Sequence, residues 1–439
     1  MDKSLKKKFL IFVLPSILSF ALSGVYTIVD GFFIGQRLGD IGLTSITLSY
    51  PLAALIGAIG TGIGMAGAII FTIFESQNKE KEKKECFSST ILLIISVSIL
   101  LTILLIIFIR PLLSLLGAKG EVLTISIEYA RVIALGSIFQ LCATAFVPFI
   151  RNMGSSSFAV IAMILGFLTN IILDFVFIWV LKLGMMGAAL ATIIGQAITM
   201  IAAITFFIIK KYKPRQMPLK TIFSYQKKIL KLSVSPFGLT ISPTITMLFM
   251  NYFLLLYGGE KAVAIYGCIG YVISIVYLFL QGVGDGAQPL LSSYYGRKED
   301  SSVNYLYKLS CITAIIITLI CLGVLTITKD KIGILFGSSK ETNLEVSKYL
   351  IYFLSTLLLV AFVRITTSYL YATEKVILSY ILVYIEPICT IILLIFLPLI
   401  FKLNGVWLSV PIAQLLTFIV AIFIKLYLNK KKITNTEDN

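Results

Sequence analysis

Twelve apolar stretches follow one another along the chain with short polar breaks, at about residues 9–34, 43–74, 86–109, 122–149, 158–181, 185–209, 229–257, 262–293, 302–328, 343–370, 376–400 and 403–428. Each is long enough to cross a hydrocarbon layer of about 30 Å. Of 439 residues, 58% are apolar and only 13% charged, whereas ordinary soluble domains are about half apolar and a quarter charged. A water-soluble chain of this composition would lack the polar surface needed to cover its core. The expected fold class is therefore an all-α integral membrane protein with twelve transmembrane helices. The first segment, MDKSLKKKFL, has the charge of a signal peptide. The apolar run after it is long and lacks a small-residue cleavage site, so it is read as the first helix.

Lys and Arg set the expected orientation. With both termini inside, roughly 25 of the 37 basic residues fall in inner segments and about 10 in outer loops. Both ends are accordingly expected in the cytoplasm of a multi-pass protein of the cell (inner) membrane. The same rule explains the formal net charge of +16 without a nucleic-acid partner. Histidine is absent, which excludes Ser–His–Asp and Cys–His nucleophilic sites and His-based zinc centres. The six cysteines lie in or beside apolar runs with no CxxC pair, as small buried hydrophobes do. No loop is long enough for a folded soluble domain, so no cofactor and no attached ATPase are expected.

The longest polar stretch, KKYKPRQMPLKTIFSYQKKILK from Lys210 to Lys231, divides the chain near its middle. The two sides resemble each other at a lag of about 220 residues. Pro15 corresponds to Pro236, the Gly60, Gly62 and Gly64 series to Gly282, Gly284 and Gly286, and Gly184–Gly187 to Asn404–Gly405. This predicts two pseudo-symmetric six-helix bundles around a central cavity: an N-terminal lobe at 1–209, a cytoplasmic basic linker at 210–228 and a C-terminal lobe at 229–439.

Two glycine patterns imitate enzyme motifs. Gly62-Ile-Gly64-Met-Ala-Gly67 has the letters of a dinucleotide loop, but it lies inside an apolar span rather than after a strand. Gly282-Val-Gly284-Asp285 spells the GxGD of intramembrane aspartyl proteases, which need a second facing aspartate. GxxxG spacing at Gly60/Gly64 and Gly282/Gly286 reads instead as close helix packing.

The ionisable residues within spans are the informative ones, because charge in hydrocarbon is costly unless paired or wet. Glu128 and Arg131 stand at i, i+3 and are positioned to pair, as are Arg364 and Glu386 on consecutive helices. Asp30 and Asp174 have no such partner. Asn170 and Asp174 share one helix face. At about 1.5 Å of rise per residue, Asp30, Tyr129, Asn170, Asp174 and Thr192 all come to the outer half of the first bundle. Two carboxylates, an amide oxygen and hydroxyls suit a small hard cation or a shared proton.

At these residues the chain resembles the multidrug and toxic compound extrusion (MATE) family. The resemblance runs nearly its whole length, through Pro15 with Val29-Asp30-Gly31-Phe32-Phe33-Ile34-Gly35, Arg151-Asn152-Met153-Gly154, Asn170-Ile-Ile-Leu-Asp174 and Gly282-Val-Gly284-Asp-Gly-Ala-Gln288-Pro289. It implies two six-helix lobes with a cavity of alternating access, exporting bulky, often cationic and aromatic, organic compounds against inward sodium or protons. It also implies a site for the coupling cation, sodium or a proton, at Asp30, Asn170, Asp174 and Thr192, with Tyr129 nearby. A second-lobe site known in another branch needs an acid on helix 7, which is missing here. Asp285, Glu386 and Arg364 are left as candidates for the substrate cavity or the second lobe. A lipid-linked oligosaccharide flippase of the same superfamily is the alternative, although fourteen spans and a cationic groove would be expected for it. A passive channel fits two unequal lobes poorly.

Overall fold

The computed structural model describes residues 3–335 and 339–437. In hydrocarbon every backbone N–H and C=O must find a partner within the protein, and a helix supplies one locally for each. All regular structure among the described residues is accordingly helical. The helices run as α1 (Ser4–Gly39), α2 (Ile41–Ser76), α3 (Glu80–Leu115), a bent α4 (Gly120–Leu135 and Ser137–Asn152), α5 (Ser156–Asp174) and α6 (Gly184–Ile209). They continue as α7 (219–258), α8 (260–296), α9 (Asp300–Leu335), a bent α10 (Lys340–Leu354 and Leu357–Ala372), α11 (376–401) and α12 (403–437). Each of the twelve apolar stretches corresponds to one of these spans.

Three of the junctions are single residues with left-handed backbone: Gly39, Gly259 and Lys402. Glycine carries no penalty there, whereas Lys402 is strained. Left-handed positions also recur between the halves at one fixed lag: Gly39 with Gly259, Asn78 with Lys298, Gly154 with Glu374, and Lys182 with Lys402. The bends recur with them, 56° in α4 and 46° in α10. The internal repeat is thus written in the backbone as well as in the letters.

Two compact units are present: residues 1–241 with 285–300, and residues 242–284 with 301–439. This division does not fall at the basic segment. Helix α7 begins at Leu219, inside the stretch expected to be linker, so 210–218 alone of that stretch lie outside a helix.

Within the first unit, α2 packs against the second half of α4 through missing side chains. A Cβ on Gly64 would lie 2.2 Å from Ala145 Cα, and one on Gly60 2.9 Å from the Leu141 carbonyl oxygen. The Gly60/Gly64 spacing therefore acts as a backbone-contact face. In the second unit the fully buried Trp407 stacks on Tyr349 at 4.3 Å, with Tyr266 and Phe353 around it. On α3, Ile99, Ile103 and Ile107 are more than half exposed and lie one turn apart, a stripe suited to acyl chains.

Gly64→Val is expected to destabilise the protein by about 1–3 kcal/mol, since α2 and α4 must separate. Gly267→Val, whose Cβ would meet nothing within 4 Å, is the control. Thermal unfolding of the purified variants in detergent checks this: only the Gly64 variant should melt earlier.

Candidate functional site

Asp30 lies on α1, one helical turn beyond Tyr26, so the two share a face. Asn170 and Asp174 share a face of α5. The contact between α5 and α6 is set by two glycines: a Cβ on Gly166 would stand 2.8 Å from the Gly195 carbonyl, and one on Gly195 3.0 Å from Asn170 Cβ. Thr192 is one turn before Gly195, so this close approach brings its hydroxyl to Asn170, whose Nδ2 donates to Thr192 Oγ1 at 3.5 Å. Directly after Asp174 the helix widens into a π-helical turn over Phe175–Val180, a form concentrated at functional sites.

All five residues expected from sequence at this level come together. Asp30, Asn170, Asp174 and Tyr129 are 8%, 2%, 0% and 5% exposed. The carboxyl of Asp30 lies within hydrogen-bonding range of that of Asp174. Tyr129 interacts with the Thr192 hydroxyl and with both carboxyls. Tyr26, which sequence alone did not single out, does the same, and its ring stacks on Phe167 at 5.1 Å. Its position four residues before Asp30 is the signal that could have found it.

Four oxygens of this cluster have no donor among the described residues. Asp30 Oδ1, Asn170 Oδ1 and both oxygens of Asp174 are buried without a hydrogen-bond partner. Two ionised carboxylates offer only acceptors, and like charges this close in a low dielectric cannot both persist uncompensated. The donor set fits a proton held between the two acids. It fits equally a small hard cation ligated by carboxylate, amide and hydroxyl oxygens. At the repeat lag, Asp30 and Asp174 are matched by Met250 and Leu394, both fully buried. The same backbone is thus built in the second half with apolar side chains, so the acids answer to something other than folding.

The remaining candidates fall elsewhere. Asp285, expected at the cavity or in the second lobe, belongs instead to the first unit and is ion-paired to Arg151 at 3.5 Å, both side chains nearly fully buried. Arg151 also lies 5.3 Å from the Phe20 ring centroid. Beside the pair, Asn152 Nδ2 donates to Gln288 Oε1 at 2.8 Å, Gln288 Nε2 returns a bond to Asn152 Oδ1, and Thr72 Oγ1 donates to Asn152 Oδ1. The Arg151-Asn152 and Asp285–Gln288 motifs therefore recognise each other. The aspartate of the GxGD pattern is thus held in a buried ion pair with arginine.

Arg364 and Glu386 do not pair directly. The Arg364 guanidinium sits 4.2 Å from the centre of the Tyr277 ring, and Gln414 Nε2 donates to both Tyr277 Oη and Glu386 Oε1. Glu128 and Arg131, spaced so that they could pair, are both exposed, and the ion pairs among the described residues do not join them.

A membrane-embedded helical repeat with an ionisable pocket in one copy defines a class, that of carriers. The MatE family model matches residues 15–176 and 238–399, one copy in each half, and the chain belongs to that family. It is a transporter, not an enzyme. It is 26% identical over 440 residues to the multidrug export protein MepA of Staphylococcus aureus (strain MRSA252), covering 96% of this chain and 94% of that one. The MepA of Staphylococcus haemolyticus is 25% identical over 432 residues with the same coverage. Among solved structures, a MOP superfamily transporter from Pyrococcus furiosus superposes with TM-score 0.90 at 21% identity, covering 98% of this chain and 97% of that chain. An outward-facing multidrug resistance MATE family transporter gives 0.88 at 21%, covering 99% and 97%.

Truncating one partner of the Arg151–Asp285 pair leaves a buried charge alone. Asp285→Asn or Arg151→Gln is expected to cost about 3–5 kcal/mol, and an apolar pair at both positions much less. A double-mutant cycle on unfolding temperature measures this; a loss in the double variant equal to the sum of the two single losses would remove the pair from the account.

Proposed function

We propose that this chain is a secondary antiporter that exports bulky organic cations from the cell in exchange for inward sodium or protons, by alternating access. The observation that carries the reading is the buried pair Asp30 and Asp174, whose cluster holds four donorless oxygens. The multidrug export activity named for the two MepA relatives supports the cargo class.

Coupling requires the ion to bind one conformation better than the other. The cluster supplies such a difference. Asp30 sits on a helix with Pro15 inside it and Gly31 beside it, where an added Cβ would meet nothing within 4 Å. A cation or proton between Asp30 and Asp174 draws α1 to α5. Without it, mutual repulsion favours separation. Because α1 carries this response along its length, its shape follows the occupancy of the site. Tyr26, Tyr129 and Thr192 orient around the acids and can turn their hydroxyl oxygens toward a bound cation. Apolar and aromatic walls hold varied cationic cargo by contact and cation–π attraction. In this arrangement both termini lie in the cytoplasm, lipid surrounds the spans and no ATPase is needed.

Asp30→Asn and Asp174→Asn are each expected to abolish gradient-driven export of a fluorescent aromatic cation from everted vesicles, with normal insertion. Tyr26→Phe should reduce it several-fold. Imposing sodium and pH gradients separately identifies the ion. Full export by either Asn variant would remove the acid pair from the mechanism.

A further inference from the structure

Away from the acid cluster, the foot of the first unit holds a second charged feature that the transport reading does not use. A cavity of about 470 Å³ opens between the start of α3 and the segment that follows α6. Its lining includes Lys84, Lys210, Lys211, Lys213 and Arg215. Two more ionised groups of the lining, Lys83 and Glu80, are engaged with each other at 2.7 Å, and Lys83 also reaches Glu75 at 3.2 Å. The five remaining cations have no carboxylate partner among the described residues. Five like charges around one small volume repel one another, and a loop of this length has freedom to disperse them.

It does not disperse them, because it is anchored. The ring of Tyr212 packs on Phe71 and Phe87 at 5.7 and 5.8 Å. The backbone N–H of Arg215 donates to Ser88 Oγ at 2.7 Å. Lys211 is held in the left-handed region with φ 58°, and Tyr212 N–H closes the end of α6 on the Phe207 carbonyl at 2.9 Å. The cavity is therefore preformed, with its charge uncompensated. Such a site calls for a ligand with several negative charges in a small volume, and phosphate groups meet that description.

The surroundings decide which phosphate. On α6, Ile201, Ile204 and Ile208 are 52%, 38% and 68% exposed at positions that share a face, and Ile209 is 67% exposed. This apolar stripe leads down the helix to Lys210 at the cavity. An acyl chain lying along it delivers its headgroup to the lysines, whereas a soluble anion gains nothing from it. We propose that the cavity is a binding site for an anionic phospholipid of the leaflet on the N-terminal side, preferring a headgroup with two phosphates. The proposal is independent of the coupling ion and of the cargo.

The test is titration of the full-length protein in neutral detergent with diphosphatidylglycerol, phosphatidylcholine and inorganic pyrophosphate, read by native mass spectrometry. Diphosphatidylglycerol should bind saturably and in preference to the other two. A variant with Lys210→Gln, Lys211→Gln, Lys213→Gln and Arg215→Gln should bind it at least about tenfold more weakly. These side chains are exposed, so folding should survive. Lys84→Gln alone, on the opposite wall, should give a smaller loss. A control with Lys6→Gln, Lys7→Gln and Lys8→Gln removes charge from another exposed basic segment on the same side and should bind as the wild type does. Equal weakening in that control, no preference over phosphatidylcholine, or pyrophosphate binding as tightly as the lipid would each overturn the proposal.

Discussion

Two carboxyl groups lie beside each other in the interior of the first unit, and Asp30 Oδ1 and both oxygens of Asp174 have no hydrogen-bond partner among the described residues. Burying one ionised carboxylate in hydrocarbon already costs several kcal/mol, and a second beside it adds repulsion in the same low dielectric. The arrangement is tolerable only when a proton or a small cation shares the space. Helices α1, α4, α5 and α6 each bring a polar side chain to the cluster.

The repeat separates what the fold needs from what the function needs. Both halves build a bent fourth helix, a left-handed break after their first helix and another after their fifth. The first half carries Asp30 and Asp174 where the second carries Met250 and Leu394. In the second unit the polar investment lies elsewhere, with Arg364, Tyr277, Gln414 and Glu386 mutually engaged. Asymmetry on a symmetric frame gives the first half a buried acid pair that the second half lacks. The Arg151–Asp285 pair and the Asn152–Gln288 amides serve the fold instead, pinning the end of α8 into the first unit through groups that already have partners.

Hydropathy made the twelve spans legible, because helix length in lipid is set by membrane thickness. It could not reveal the bends at Gly136 and at Ser355–Thr356, since the apolar runs continue through them without a polar break. Helical spacing and rise brought Asn170, Asp174 and Thr192 to Asp30, because regular helices fix both face and depth. Tyr26 escaped because one aromatic residue in an apolar span looks like any other until its neighbours are known. Asp285 departs from its expected place for a topological reason. The repeat marks two halves of the sequence, whereas the last part of α8 packs with the first unit.

Infrared difference spectroscopy of the carboxyl C=O band tests the shared-site claim most directly. Purified wild-type protein is compared with Asp30→Asn and Asp174→Asn in alkali-free buffer at neutral pH, before and after addition of sodium. The expected result is a protonated carboxyl band in the wild type that is altered in both variants and, if sodium is the coupling ion, is lost on adding sodium. Two fully ionised carboxylates in alkali-free wild-type protein, unchanged by sodium, would contradict the account.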